Sequence, residues 1–523
     1  MTTPTPPPPP TPPPPPSIPI PIPIPLLLTP STPLPLILLT LSTTLLLYIL
    51  LLSLHRLYLS PIAQFPGPRL AALTFWYEFW FDVVRGGRYT WRIAEMHGEY
   101  GPIIRINPHE LHVLDPHFHA QLYVAPSTRR TDKWAWSAKM FGTTHASVGT
   151  SAHNLHRLRR SALNPFFSRR SVSRLEPVIQ RTVDGLCERM KGFGERGEVV
   201  GLNGAFAADL SRATHLMKQF GWLYTLLTLI PQRVVALVHP LTQQLFELQN
   251  GIARQIRDIK ASQHDSRVRD SDQEGPVEKR ELQHDHPTIL HDMLCDSNLP
   301  AAELSDARLT EEAFTLVGAG TVTTAYTLAT TVYHLLANES SLRALRTELA
   351  AQWDRDAAPR WADLEQLPYL SAVVSEGLRL SYGVSHRLPR ISPDEPLRFH
   401  DWIIPAGTPV SMTQMFIHND ASLFPAPLSF LPARWLPGDG GAPAPAQKKF
   451  LVPFSRGSRM CVGMNLAYAE IYLTLAALFK PVEAGGLQLR LFETDETDVA
   501  VVHDFFNPFP RLDSKGVRVL VQK

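Results

Sequence analysis

One cysteine-containing loop near the C-terminus constrains this chain more than any other feature. The segment Phe454–Gly463 reads Phe-Ser-Arg-Gly-Ser-Arg-Met-Cys-Val-Gly, and an apolar, helix-compatible run follows from Asn465 to Lys480. The two glycines allow a tight turn and a close approach to a flat ligand. Cys461 is predicted to lie just ahead of a helix N-terminus, which favours the thiolate, with Arg459 as a nearby cation. Such a thiolate could ligate iron, attack a carbonyl, or be an ordinary buried thiol.

The spacing of this loop, Phe-x-x-Gly-x-Arg-x-Cys-x-Gly, resembles the signature of the cytochrome P-450 family of haem-thiolate monooxygenases. The matching positions are Phe454, Gly457, Arg459, Cys461 and Gly463. The resemblance implies a mainly α fold with a small β region. It also implies haem b (iron protoporphyrin IX) as cofactor, with the sulfur of Cys461 as the metal ligand.

Composition excludes several other classes of protein. Lys and Arg number 50 against 48 Asp and Glu, so the formal net charge of +2 argues against a dedicated nucleic-acid binder. The cysteines Cys187, Cys295 and Cys461 are too few and too scattered for a disulfide framework or a zinc site.

The N-terminal region predicts a membrane anchor. Residues 1–33 form a proline-rich leader, predicted to be disordered or polyproline II. Residues 34–54 are apolar and uncharged, long enough to span a bilayer, and basic residues follow them. We expect a single-pass signal anchor in the endoplasmic reticulum membrane, a proline-rich hinge over 55–68, and a cytoplasmic catalytic domain over 69–523.

A second motif lies in a long apolar segment that is predicted to be a helix from Thr310–Glu312 to about Ala337. Its centre, Gly318–Thr324, is rich in small residues, which serve either close helix packing or space for a ligand. In the resembled family this pattern lies on the distal helix, where Ala319 and Gly320 contact the cofactor. Thr323 and Thr324 are then the candidate catalytic residues. The position that is usually acidic holds Val322, which cannot relay a proton, and this predicts reduced turnover or leakage to peroxide.

The resemblance extends to cofactor-binding and supporting residues. Arg160 matches an arginine that binds haem propionates, His156 stands where the family has tryptophan, and Arg390 matches a second propionate-binding arginine. Glu376 and Arg379 lie three residues apart on one helix face and are predicted to form a buried pair with Arg434, as structural support. The residues predicted to face the substrate are Thr315, Gly318, Val384 and Ser385.

Two segments depart from the family pattern or from regular structure. Between Gly201 and Phe220 the chain is shorter than expected, which indicates either a lost helix or a defective gene model. Residues 254–286 are rich in charge and are predicted to form a solvated loop.

The function implied by the resemblance is the insertion of one oxygen atom from O2 into an apolar small molecule, with electrons supplied by NADPH through a cytochrome P-450 reductase. The pattern is most similar to fungal secondary-metabolite members of the trichodiene-oxygenase type, which favours a terpenoid or polyketide substrate. Two alternatives stay open. One is a haem-thiolate isomerase or dehydratase that needs no oxygen activation; the other is a non-catalytic relic with an incomplete fold.

Overall fold

The computed structural model describes residues 34–143, 145–202, 218–219, 240–271, 289–295, 299–353, 359–437 and 446–522. The predicted leader over 1–33 lies outside these residues, as does most of the shortened segment between Gly201 and Phe220. The chain divides into two units between His55 and Arg56.

The described residues of the first unit form an apolar helix. Helix α1 spans Leu34–Leu54, has no buried residue and carries no charge, and its bounds are those predicted from the sequence. The hydroxyls of its Ser and Thr residues donate to carbonyls of the preceding turn, for example Thr43 Oγ1 to Leu39 O at 2.8 Å. A π-helical turn, His55–Leu59, continues it, and Leu34–Leu59 is long and apolar enough to cross a membrane.

The second unit is mainly helical. Its α-helices, numbered over the described residues, are α2 Arg69–Leu73, α3 Trp76–Phe79, α4 Tyr89–Tyr100, α5 His119–Leu122, α6 Ala135–Ala138, α7 His153–Leu163, α8 Arg169–Arg196, α9 Pro240–Ser271, α10 Ile289–Cys295, α11 Asp306–Ala337, α12 Glu339–Trp353, α13 Trp361–Leu364, α14 Pro368–Ser381, α15 Gln414–His418 and α16 Met464–Phe479. The main core surrounds α16, which follows the cysteine loop and is apolar on nearly all sides.

Short strands make up the small β region. They are β1 Ile103–Arg105, β2 Leu111–Val113, β3 Asp132–Lys133, β4 Val200–Gly201, β5 Arg390–Ile391, β6 Leu397–Phe399, β7 Trp402–Ile404, β8 Pro409–Ser411, β9 Gln488–Leu491, β10 His503–Phe505, β11 Asn507–Phe509 and β12 Arg518–Gln522. One sheet has the order β1-β2-β8-β5-β3, a second has β4-β12-β9, and β6–β7 and β10–β11 are hairpins. The predicted fold class, mainly α with a small β region, is confirmed.

Two helices differ from the sequence prediction. Helix α11 begins at Asp306 after Ser305, not at Thr310, because its polar first turn is bonded inside the protein: Arg308 donates to Glu312 at 2.8 Å. The predicted loop over 254–286 was wrong for its first part, since α9 continues to Ser271. Ile252 and Ile256 are buried on one face of α9, and the exposed residues Arg254, Arg257 and Asp258 form the other face of an amphipathic helix.

Candidate active site

The loop that carries Cys461 depends on one glycine for its shape. Gly457 has φ +75°, and a Cβ there would lie 2.3 Å from the carbonyl oxygen of Val124. A side chain is therefore excluded at Gly457 by both conformation and contact. Gly463, in contrast, has φ −80°, which any residue adopts. The amide of Cys461 donates to the carbonyl of Phe454 at 2.9 Å, which closes the loop.

The cation that acts on the pKa of Cys461 is Arg160, not Arg459. Burial raises the pKa of the Cys461 thiol, while the amide of Gly463 and the charge of Arg160 act in the opposite direction. Arg160 Nη1 also donates to the carbonyl of Met460 at 2.8 Å. Arg459 instead donates to the carbonyls of Thr150 and Ser151. The sequence prediction of Arg459 as the partner of the thiolate is thus corrected, because both terminal nitrogens of its guanidinium donate to backbone oxygens and Nε alone is left for another acceptor.

A group of cations lies beside the loop. Burial, and then neighbouring cations, lower the pKa of His156 to about 2 and that of Arg459 to about 9. The pKa of Lys133 is also lowered, first by burial and then by Arg459 and Arg390. Among the described residues, His156 Nδ1 and Arg459 Nε are buried without a hydrogen-bond partner. His156 is neutral with this pKa but can still donate a hydrogen bond, so its imidazole and the neighbouring cations together suit an anionic group.

This donor set fits the two carboxylates of a porphyrin. His156, Arg160, Arg390 and Arg459 come from three separate parts of the chain, and each was predicted to bind the cofactor. No sequence motif indicated Lys133, which lies opposite Arg390 in the antiparallel pair of β3 and β5. A distance of more than two hundred residues along the chain separates the two, so no local spacing could have related them.

The central helix α11 and the cysteine loop border the same apolar cluster. Phe314 and Leu316 of α11 pack against it, as do Val462 in the loop and Leu466 just after the loop. The stretch 317–321 is exposed although both ends of the helix contain buried residues. A Cβ at Gly318 or Gly320 would meet no atom within 4 Å. The small residues of this stretch, with Ala319, therefore provide a cradle for a flat group rather than a helix–helix contact.

The two candidate catalytic threonines differ in their contacts. Thr323 Oγ1 donates to the carbonyl of Ala319 at 2.7 Å, which leaves its oxygen lone pairs as acceptors. Thr324 is buried and bonds the carboxyl of Glu470, whose pKa is raised by burial. Glu470 was missed from the sequence, although it is the single charged residue of α16 and follows Cys461 by nine positions.

Glu376 lies at the centre of a buried group that we call the Glu376 cluster, formed with Arg379, Arg434, Trp435 and the amide of Leu431. Arg379 binds it with two nitrogens, at 2.8 and 2.9 Å, and Arg434 Nε lies 3.0 Å away. Trp435 Nε1 and the Leu431 amide donate at 2.8 and 2.9 Å. Glu376 and Arg379 are fully buried, and the structure brings the three predicted residues together.

The residues predicted to face the substrate differ in their exposure. Gly318 is exposed, and Thr315 and Val384 are half-buried, with the Thr315 hydroxyl donating to the carbonyl of Glu311. Ser385 is fully buried, and its hydroxyl donates to Asp504 Oδ1 at 2.9 Å. That hydroxyl is therefore committed to the protein interior.

A helical fold with a cysteine loop, a small-residue helix and an anion-binding group defines a haem-thiolate type of site. The family model for cytochrome P-450 matches residues 66–483, and the chain belongs to this family. Its curated relatives are fungal cytochrome P-450 monooxygenases of secondary metabolism, and the chain is an oxidoreductase of the same monooxygenase class.

Three relatives illustrate the match. The tryptophan 6-hydroxylase fscE of Fusarium equiseti is 41% identical over 505 residues, covering 90% of this chain and 94% of the relative. The N-acetyltryptophan 6-hydroxylase ivoC of Emericella nidulans is 41% identical over 512 residues, with 91% and 95% covered. The monooxygenase oblB of Cochliobolus heterostrophus is 40% identical over 508 residues, with 90% and 94% covered. The family implies a cysteine-ligated haem.

Proposed function

We propose that this chain is a membrane-anchored monooxygenase that inserts one oxygen atom from O2 into an apolar small molecule, with Cys461 as the haem ligand. The observation that carries the proposal is the placement of the Cys461 loop beside the buried cations and the small-residue stretch of α11. When bound, the haem supplies the activation of O2 and the transfer of one oxygen atom.

The residues of the chain have separate tasks in this proposal. Lys133, His156, Arg160, Arg390 and Arg459 hold the two carboxylates of the cofactor. Gly318–Gly320 would leave space for the cofactor, and the Thr323 hydroxyl would orient a proton donor next to that space. Val322 relays no proton. The Glu376 cluster holds the backbone behind the cysteine loop and takes no part in the chemistry.

The proposal extends to membrane and partner. Helix α1 serves as a single-pass anchor in the endoplasmic reticulum, residues 55–68 serve as the hinge, and residues 69–523 form the cytoplasmic catalytic domain. Electrons come from NADPH through a cytochrome P-450 reductase. The substrate is a terpenoid or polyketide; since fscE and ivoC are named for hydroxylation of tryptophan and N-acetyltryptophan, those two compounds are also informative candidates.

The full-length chain in microsomes tests the cofactor assignment. We expect the ferrous–carbon monoxide difference spectrum to show the red-shifted Soret band for the parent and for Cys187→Ala, a buried cysteine in the main core. Cys461→Ser is expected to lose that band, because a hydroxyl replaces the thiolate ligand. A Cys461→Ser protein with the parental band contradicts the assignment.

Product analysis then tests the reaction. We expect an oxygenated product of a terpenoid, polyketide or indole substrate only when NADPH, reductase and O2 are all present. A product of unchanged oxidation state, formed without them, would instead identify an isomerase or dehydratase, an alternative that tolerates the valine at position 322.

A further inference from the structure

A second buried ionic group lies outside the residues assigned above, and we call it the Lys218 cluster. All members are at most 2% exposed. They are the carboxylates of Glu78, Asp82, Glu110 and Asp504, the cations of Lys218 and Arg387, and the imidazole of His386. Removal of one partner from a buried ionic group leaves the remaining charges less compensated, so the loss of a single cation is expected to be felt.

Lys218 joins two of these carboxylates. Its Nζ lies 2.8 Å from Glu78 Oε1 and 2.9 Å from Asp82 Oδ2. Burial lowers the pKa of Lys218, but Asp82 and Glu78 outweigh burial and raise the pKa above its ordinary value. The ammonium form is therefore the one present. Its Nζ also lies 3.5 Å from His386 Nε2.

The contact with His386 leads to a hairpin. His386 Nδ1 lies 2.9 Å from Asp504 Oδ2, so that nitrogen carries the proton and Nε2 is left to accept from Lys218. Asp504 Oδ1 accepts from the hydroxyl of Ser385 at 2.9 Å and from the amide of Phe506 at 3.0 Å. The amide of Ser385 donates in turn to the carbonyl of Phe506 at 3.1 Å.

Phe506 is the residue that this network holds. It forms the tip between β10 and β11 with φ +75°, a strained conformation for a bulky residue that persists only when its surroundings enforce it. Its ring meets that of Phe141 edge-on at 5.0 Å. The ammonium of Lys133, one of the cations proposed to bind the cofactor, lies 4.3 Å from the Phe141 ring centroid. The tip therefore lies at the edge of the active site.

We propose that Lys218 is a positioning residue for the oxidation. Through Glu78, Asp82, His386 and Asp504 it fixes the Phe506 tip and the adjacent Val384 relative to the bound substrate, and so determines which position of the substrate is oxidised. The inference rests on the proposed function. Without the ammonium, Glu78 and Asp82 repel each other, His386 loses the donor to Nε2, and the support of the strained tip is weakened.

The test uses Lys218→Met in the full-length, haem-loaded enzyme with reductase, on a substrate that the parent oxidises. We expect the ferrous–carbon monoxide band to remain, substrate affinity from the Soret shift to fall about tenfold, and the ratio of regioisomeric products to change by more than about twofold, as a displaced contact would cause. The double variant Lys218→Met/Asp82→Asn removes one negative charge together with the positive one. It should recover part of the lost substrate affinity and part of the parental product ratio. Lys191→Met, which removes an exposed ion pair with Glu188, is the matched control and should equal the parent.

Asp504→Asn provides a second route if Lys218→Met does not accumulate with haem, because it keeps the shape of the side chain while weakening the link to His386. An altered product ratio in either variant supports the inference. Parental affinity and product ratio, or a loss of enzyme yield with the product ratio unchanged, overturns it and assigns Lys218 to stability alone. A parent that shows the carbon monoxide band but forms no oxygenated product overturns the proposed function, and the inference with it.

Discussion

The Glu376 cluster and the Lys218 cluster are both buried ionic groups, yet they are built in opposite ways. In the Glu376 cluster a single carboxylate receives donors from two guanidiniums, an indole and an amide. In the Lys218 cluster several carboxylates share Lys218 and Arg387. The first has more donors than its acid requires, whereas the second has fewer cations than acids among the described residues.

This difference indicates different sensitivities. A carboxylate held by several charge-assisted hydrogen bonds keeps its geometry, and its removal leaves two guanidiniums without their anion. A cluster with an excess of carboxylates responds to any lost cation or gained proton, because its members repel one another. We therefore expect the Glu376 cluster to act as a fixed scaffold. The Lys218 cluster is expected to change its geometry when it loses a cation or gains a proton.

The largest effect is expected from Glu376→Ala. It leaves Arg379 and Arg434 buried without their carboxylate, which should lower the free energy of unfolding by about 3–5 kcal/mol and reduce haem incorporation. Urea unfolding and the carbon monoxide spectrum measure the two effects. The matched control is Glu339→Ala, which removes an exposed i,i+4 pair with Arg343 and should cost about 0.5 kcal/mol or less. Equal costs for the two variants would contradict a scaffold role.

The next largest effect is expected from acidification, which should weaken the Lys218 cluster but not the Glu376 cluster. The pKa of His386 is lowered from 6.5 to about 4, mainly by burial. Folding therefore favours the neutral form of its imidazole. Its contribution to stability is present above pH 6.5 and is lost as the pH falls from 6.5 to 4, up to about 3 kcal/mol. Burial raises the pKa of Glu376, but Arg379 outweighs it and the net pKa is lowered, so the Glu376 cluster keeps its charge in this window.

Urea unfolding between pH 7 and pH 4 checks this expectation. His386→Asn should show a shallower loss of stability on acidification than the parent, since its side chain takes up no proton. His400→Asn, at an exposed histidine, should retain the parental slope. A parental slope in His386→Asn would show that the acid sensitivity arises elsewhere.

The smallest effect tests packing beside the Glu376 cluster. A Cβ at Gly377 would lie 2.1 Å from Thr331 Oγ1, so Gly377→Ala forces α14 away from α11 and should cost about 1–3 kcal/mol. At Gly98, inside α4, a Cβ would meet no atom within 4 Å. Gly98→Ala should therefore stabilise the protein by up to about 1 kcal/mol. Thermal unfolding of the haem-loaded variants measures both, and a neutral Gly377→Ala would show that the helices can separate freely.

The sequence predicted the features that depend on local spacing. The Cys461 loop, the Glu376–Arg379 pair and the bounds of α1 follow from periodicity, turn residues and short motifs, which act over a few neighbouring positions. The prediction was wrong where a charged surface concealed a helical face, as in the first part of residues 254–286.

Tertiary structure decided which charges meet. Lys133 opposite Arg390, Arg160 acting on Cys461, Thr324 against Glu470, and Lys218 between Glu78 and Asp82 all join residues that are far apart in the chain. Such pairs arise from the path of the backbone, and burial then changes their electrostatics. The sequence by itself thus determined the chemical group at position 461 and the helices around it, whereas the folded chain determined the environment of each charge, because long-range contacts and desolvation exist only once the core has formed.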